Sequence, residues 1–151
     1  MLKENDKSID FILPDSEGKE VSLSSFKGKK VVLYFYPKDN TPGCNKEACS
    51  FRDVYDDILE TGAVVIGVSP DSTASHEKFK SKFGLPFFLL SDSDHKVAEA
   101  YGSWGEKKMY GKSYMGIIRS TFIIDETGTI IKVFPKVSPE KHGEEVLKFL
   151  S

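Results

Sequence analysis

At 151 residues the chain can bury a proper core in one domain without disulfide or metal staples. Its hydrophobic fraction of 39%, charged fraction of 29% and net charge of −2 give no reason to expect nucleic acid or an anionic membrane as a partner. No apolar stretch approaches the roughly 20 residues that span a bilayer, and Met1 to Lys7 lacks an apolar signal core, so the expected location is the cytoplasm.

Ile9 to Pro14 reads as a short extended piece, Asp15 to Lys19 as a turn cluster and Glu20 to Leu23 as an edge strand. Ser24 to Lys29 suits one helical turn and a break. Val31 to Tyr36 is continuously apolar, the mark of a strand covered on both faces. From Pro42 to Glu60 the apolar positions Ala48, Phe51, Val54, Tyr55, Ile58 and Leu59 fall three and four apart, which predicts one amphipathic helix stopped by Gly62.

Ala63 to Ser69 is a second buried strand. Asp71 or Ser72 can cap a helix through Phe83, which Gly84 ends. Phe87 to Leu90 predicts a short strand and Asp94 to Tyr101 a short helix. Gly102 to Gly116 has few apolar positions in period and reads as a long loop. Thr121–Asp125 and Thr129–Val133, joined by Glu126-Thr127-Gly128, form a hairpin, and Ser138-Pro139-Glu140 opens a last helix. This order describes a mixed sheet sandwiched by helices: a thioredoxin-like α/β fold with an N-terminal extension, over a single domain of residues 1–151.

Both cysteines, Cys44 and Cys49, lie where the first core strand passes into the helix. In the cytoplasm two cysteines point to catalytic or structural thiols rather than a permanent disulfide. With Thr41 as N-cap and Pro42 at N1, Cys44 occupies N3, where a capping box normally carries an acid. A thiolate there gains from the helix dipole and free N–H groups. Such sites bring a cysteine pKa from about 8.5 down to ~3.5–7.5. Gly43 removes bulk beside it and lets a small substrate approach the backbone.

Cys49 follows five residues later. On an ideal helix the two Cα atoms stand roughly 8.6 Å apart, beyond the ~7 Å a disulfide tolerates. A bridge between them therefore requires at least one turn to unwind. Taken alone, Cys49 reads equally well as a buried apolar thiol.

Other features read as structural. A C-x4-C pair with His76, His95 and His142 far apart is no zinc signature, and those histidines sit in polar contexts that suggest solvated surface. Trp104 reads as core, and Lys107 and Lys108 as a solvated loop face. No metal or other cofactor is expected. The absence of a Gly-x-Ser-x-Gly elbow speaks against a serine hydrolase.

Pro37-x3-Thr41-x2-Cys44 resembles the active-site signature of peroxiredoxins. The stretches Tyr34 to Cys44, Glu47 to Asp53, Tyr110-Gly111-Lys112 and Met115 to Asp125 resemble the bacterioferritin comigratory protein (PrxQ) subfamily, and the similarity runs from about Ile9 to Leu150. The resemblance implies a thiol peroxidase whose peroxidatic residue is Cys44, with Thr41 bonding the peroxide, Pro37 shielding the pocket and Arg119 holding the thiolate. Without it, Arg119 reads equally well as a surface ion-pair partner. The Thr41 oxygen could accept the Cys44 N–H as a cap while its proton points into the pocket.

Cys49 would then be the resolving cysteine, closing an intrachain disulfide that a thioredoxin- or glutaredoxin-type partner reduces. A bridge within one chain suits a monomer. Asn45 departs from the subfamily's usual threonine, and the missing C-terminal Tyr-Phe helix implies resistance to overoxidation. Two other readings compete. A disulfide reductase would use C-x-x-C, with a proline where this chain has Arg119-Ser120-Thr121. A redox sensor or holdase would use the same thiol pair without turnover.

Overall fold

A computed structural model describes residues 1–151. The chain opens with an antiparallel pair, β1 (Ile12–Pro14) and β2 (Glu20–Ser22), followed by a 3-10 turn at Leu23–Phe26. Then come β3 (Lys30–Phe35), α1 (Pro42–Asp53), α2 (Tyr55–Glu60), β4 (Ala63–Ser69) and α3 (Thr73–Phe83). The second half holds β5 (Phe88–Ser91), α4 (Lys96–Tyr101), β6 (Trp104–Met109), β7 (Lys112–Ile117), β8 (Ser120–Ile124), β9 (Ile130–Phe134) and α5 (His142–Leu150).

The central sheet has the order β5-β4-β3-β8-β9, with β3, β4 and β5 parallel and β8 and β9 antiparallel to their neighbours. Side chains alternate along β3 and divide the interior in two. Val31, Leu33 and Phe35 enter one core with Phe122, Ile124 and Tyr101, while Val32, Tyr34 and Tyr36 enter the other with Cys44, Phe51 and Phe87. Covering both faces explains why β3 carries no polar alternation.

Four expectations change. The helix foreseen over 42–60 is two helices, broken at Val54 (φ −118°, ψ 12°). The break lets Ala48 and Phe51 in one segment and Tyr55 and Ile58 in the next all reach the core. The long loop is a hairpin, β6–β7, turning at Tyr110 (φ 52°) and Gly111 (φ 76°). Positive φ at both turn residues matches the twist of a two-residue hairpin, and a ribbon largely open to solvent needs no apolar alternation. Ser138-Pro139-Glu140 opens a 3-10 turn at Pro139–Lys141 before α5 rather than the helix itself.

The histidines are the fourth case. His76 and His142 are fully buried, not solvated. His142 pairs Nε2 with Thr121 Oγ1 (2.7 Å) and Nδ1 with Glu145 (3.0 Å), edge-on between Phe51 and Phe134. Burial lowers its pKa, and Glu145 offsets part of that fall. His95 lies half-buried, stacked 3.7 Å from Trp104, which sits at the core margin rather than within it.

Candidate active site

The register of the central sheet builds the site. Phe35 pairs with Ser120, so the residues just beyond each strand end, Tyr36-Pro37 and Arg119, meet at one edge. Paired serines hold the Arg119 backbone. Ser120 Oγ bonds the Ile118 carbonyl (2.9 Å) and shares a hydrogen bond with Ser103 Oγ (2.7 Å), while Ile118 N–H donates to Ser103 O (2.8 Å).

Thr41 has the extended backbone of an N-cap, Pro42 opens α1, and Cys44 takes the third helical position, only 1% exposed. The Arg119 Nη2 donates to Cys44 Sγ at 3.2 Å. Gly43 makes that approach possible: a Cβ there would stand 3.2 Å from Nη2. The space expected for substrate beside Gly43 is thus occupied by the guanidinium.

Thr41 departs from expectation. Its hydroxyl donates backward to Lys38 O (2.9 Å) and makes no cap bond, so the first N–H groups of α1 receive no side-chain acceptor. Pro37 lies half-buried in the β3–α1 connection. Cys49 is half-buried further along the same unbroken helix, and both cysteines are free.

Glu47, which the sequence reading left without a role, completes the arrangement. It is fully buried, and Arg119 Nη1 donates to its Oε1 at 2.6 Å, while Oε2 has no partner. Burial pushes Glu47 up to about 7, with Arg119 pulling it partway back. Burial lowers the Arg119 value, but Glu47 and Cys44 more than offset this, leaving it raised. The spacing was a usable signal: residues three apart share a helix face, so Glu47 had to lie beside Cys44. Tyr34, behind the sulfur, is kept neutral by burial first and by the nearby acids and Cys44 second.

The approach loop is pinned by a second buried network. Asp39 N–H donates to Asp71 Oδ2 (2.7 Å), and its carboxylate accepts Tyr36 OH (2.6 Å) and Ser75 OH (2.8 Å). His76 faces Asp39 Oδ2 through Nδ1 (2.7 Å) and the Leu90 carbonyl through Nε2 (3.0 Å). Asp39, Asp71 and His76 bring ligand atoms within 4.8 Å of one another, a spacing that could suit a metal ion. Asp71 Oδ2, however, already accepts Ser69 OH (2.7 Å) and the Asp39 N–H, so an ion would have to displace several donors.

This constellation can attack an electrophile at Cys44 and stabilise charge on the departing atom through Arg119. Residues 5–133 match the AhpC/TSA family. The chain is 55% identical to the putative peroxiredoxin bcp of Coxiella burnetii, over 91% of each chain. It is 54% identical to peroxiredoxin Bcp of Bacillus subtilis, over 95% of this chain and 92% of that one. Among solved structures, a Xylella fastidiosa PrxQ mutant superposes with a TM-score of 0.94 at 38% identity, covering 99% of this chain and 96% of that one. A bacterioferritin comigratory protein from Xanthomonas campestris, described for its alkyl peroxide reduction activity, gives 0.88 at 38%, covering 93% and 89%. These neighbours share the thioredoxin fold expected from the element order. The chain belongs to the AhpC/TSA family and, like its Bcp relatives, is a peroxiredoxin, a thiol-dependent peroxidase.

Proposed function

We propose that residues 1–151 act as one domain in which Cys44 reduces hydrogen peroxide and organic hydroperoxides, and Cys49 resolves the product. The observation that carries this is the Arg119 guanidinium 3.2 Å from a buried sulfur at the third position of a helix. The Cys44 thiolate attacks the terminal peroxide oxygen and the O–O bond breaks. The departing oxygen takes a proton as water or alcohol, and Cys44 is left as a sulfenic acid. Arg119 stabilises the charge passing from sulfur to the leaving oxygen. Thr41 releases Lys38 to bond the peroxide, and Pro37 shields the pocket. The activity described for the Xanthomonas protein supports alkyl hydroperoxides as substrates.

Resolution requires movement. Both cysteines lie in one continuous helix, α1, so the first turn must unwind before Cys49 can attack the sulfenic sulfur and expel water. That turn starts without a side-chain cap and without an acidic residue, which makes it the weak end of α1. A thioredoxin- or glutaredoxin-type dithiol then returns two electrons by exchange. We place this cycle in a cytoplasmic monomer with no metal or organic cofactor. No helix is long and apolar enough to cross a membrane.

The test is a pair of substitutions under single-turnover conditions. Cys44→Ser should abolish peroxide consumption. Cys49→Ser should keep the first oxidation but stop recycling by thioredoxin, and mass spectrometry should show Cys44 dioxidation rising only in that variant. Equal loss of the first oxidation in both variants would overturn this division of roles.

A further inference from the structure

The part of α1 from its start to Cys49 is tied to other elements by three polar side-chain contacts. Two come from Arg119, to Cys44 Sγ and to Glu47 Oε1. The third joins Lys46 Nζ to Glu140 Oε1 at 2.9 Å. Peroxide chemistry changes the Arg119 contacts, because it remakes the sulfur itself. Lys46 and Glu140 take no part in that chemistry, so their contact outlasts it.

Glu140 is a fixed point. Its turn, Pro139–Lys141, runs straight into α5, and α5 is docked on α1 just past Cys49. Gly143 N–H donates to Ser50 Oγ at 3.0 Å, and the Ser50 hydroxyl donates to the Glu47 carbonyl at 2.7 Å. No side chain fits at Gly143, where a Cβ would collide with the Ser50 carbonyl. The helix is therefore clamped from Ser50 onward and loosely held before it. Lys46 lies between the two cysteines. Unwinding that moves Cys44 toward Cys49 displaces the backbone carrying Lys46 and breaks its contact with Glu140.

We propose that the Lys46–Glu140 ion pair is a latch on the resolving step: it keeps α1 wound after Cys44 is oxidised and sets how soon Cys49 reaches the sulfenic acid. Both are positioning residues and touch neither peroxide nor sulfur. When the latch opens, the Cys49 thiol attacks the sulfenic sulfur. The S–S bond forms, the S–O bond breaks, and hydroxide leaves with the Cys49 proton as water. While the latch is closed, a second peroxide can oxidise the same sulfenic acid further. The latch thereby divides the intermediate between recycling and overoxidation. Its side chains are 56% and 65% exposed, so the pair is weak and salt-sensitive, as a contact that opens on every turnover must be. The inference rests on the roles proposed above for Cys44 and Cys49.

The experiment mixes reduced full-length protein with hydrogen peroxide, quenches it with acid at successive times and weighs the intact protein. Sulfenic acid formation depends on peroxide concentration, and its conversion to the disulfide does not, so the two phases separate. Glu140→Gln removes the attraction, Glu140→Lys reverses it, and Lys46→Glu combined with Glu140→Lys restores it with the charges exchanged. Glu144→Gln controls for net charge. Glu140→Gln should form the disulfide about threefold faster, the range of one exposed ion pair, and Glu140→Lys faster still. In both, sulfenic acid formation should stay within about twofold of wild type. At high peroxide the dioxidised fraction of Cys44 should fall by the factor that resolution gains.

Raising salt from about 0.02 M to about 0.5 M should speed the second phase of wild type and leave that of Glu140→Gln unchanged, because only wild type has the pair to screen. The exchanged pair should return the second phase toward the wild-type rate, and Glu144→Gln should match wild type in both phases. The proposal is overturned if Glu140→Gln resolves at the wild-type rate, if both phases shift by one common factor, or if the exchanged pair stays as fast as Glu140→Lys. A common factor would mean a structural role only. If Cys49→Ser still loses its sulfenic acid at the wild-type rate in a peroxide-independent phase, the parent assignment of Cys49 falls instead, an outcome read from a separate protein.

Discussion

The Arg119 guanidinium bridges Glu47 and Cys44, 2.6 Å from the carboxylate and 3.2 Å from the sulfur, so a buried acid sets the position of the cation beside the Cys44 sulfur. Because both bonds use separate nitrogens of one rigid plane, fixing one edge aims the other.

Replacing Arg119 tests that relationship directly. Arg119→Met should slow the oxidation of Cys44 by about 100-fold or more, the range lost when a preorganised donor is removed from a developing charge. Arg119→Lys should recover only part of the loss, since a point charge cannot serve both partners. Stopped-flow rates within threefold of wild type for the Met variant would exclude the role.

Glu47 should leave a signature in stability against pH. Its folded value of about 7 lies above its ordinary value of 4.5, so folding takes up a proton between the two. The favourable contribution is full below 4.5 and is lost as pH rises to about 7. Glu47→Gln cannot titrate. Its stability relative to wild type should therefore climb across that window, by on the order of 3 kcal/mol, and level off above it. Urea denaturation of both proteins from pH 4.5 to 8.5 measures the difference, and a flat difference would contradict the buried-acid account.

Thr41 separates chemistry from capping. Its hydroxyl bonds Lys38 O and caps nothing, so Thr41→Val should change stability by less than about 0.5 kcal/mol, against ~1 kcal/mol for a true cap. If the hydroxyl serves the peroxide, the same variant should oxidise at least about tenfold more slowly while Thr41→Ser retains most of the rate. A variant that loses stability but keeps its rate would reverse both statements.

The Asp39–His76 pair should matter for the loop that carries Pro37 and Thr41. It is buried and hydrogen-bonded on every side, so removing one partner strands the other. His76→Ala and Asp39→Ala should each cost about 3 kcal/mol in denaturant unfolding, with a double variant costing far less than the sum. Additive losses would show that the two side chains act independently.

Local chemistry made much of this molecule legible. The continuous apolar run over Val31–Tyr36 required a strand covered on both faces, and Thr41-Pro42-Gly43-Cys44 required a helix start with sulfur at its third position. Both depend on residues adjacent in the chain. Glu47 was harder to read, because a glutamate inside an amphipathic helix looks like a solvated charge until a guanidinium arrives from the β7–β8 link 72 residues away. His76 and His142 misled for the same reason: polar neighbours suggested water, yet their partners Asp39, Leu90 and Thr121 come from other elements. The hairpin over β6–β7 gave no periodic signal because neither of its faces is fully buried.

The sequence by itself determined where the Cys44 sulfur sits on its helix and that Cys49 cannot reach it without unwinding, since helix rise and turn follow from backbone geometry alone. The tertiary structure decided which charges surround that sulfur. The β3–β8 register carries Arg119 to the start of α1. Pairing between distant strands has no local code, so the electrostatics of the site exist only once the sheet has closed.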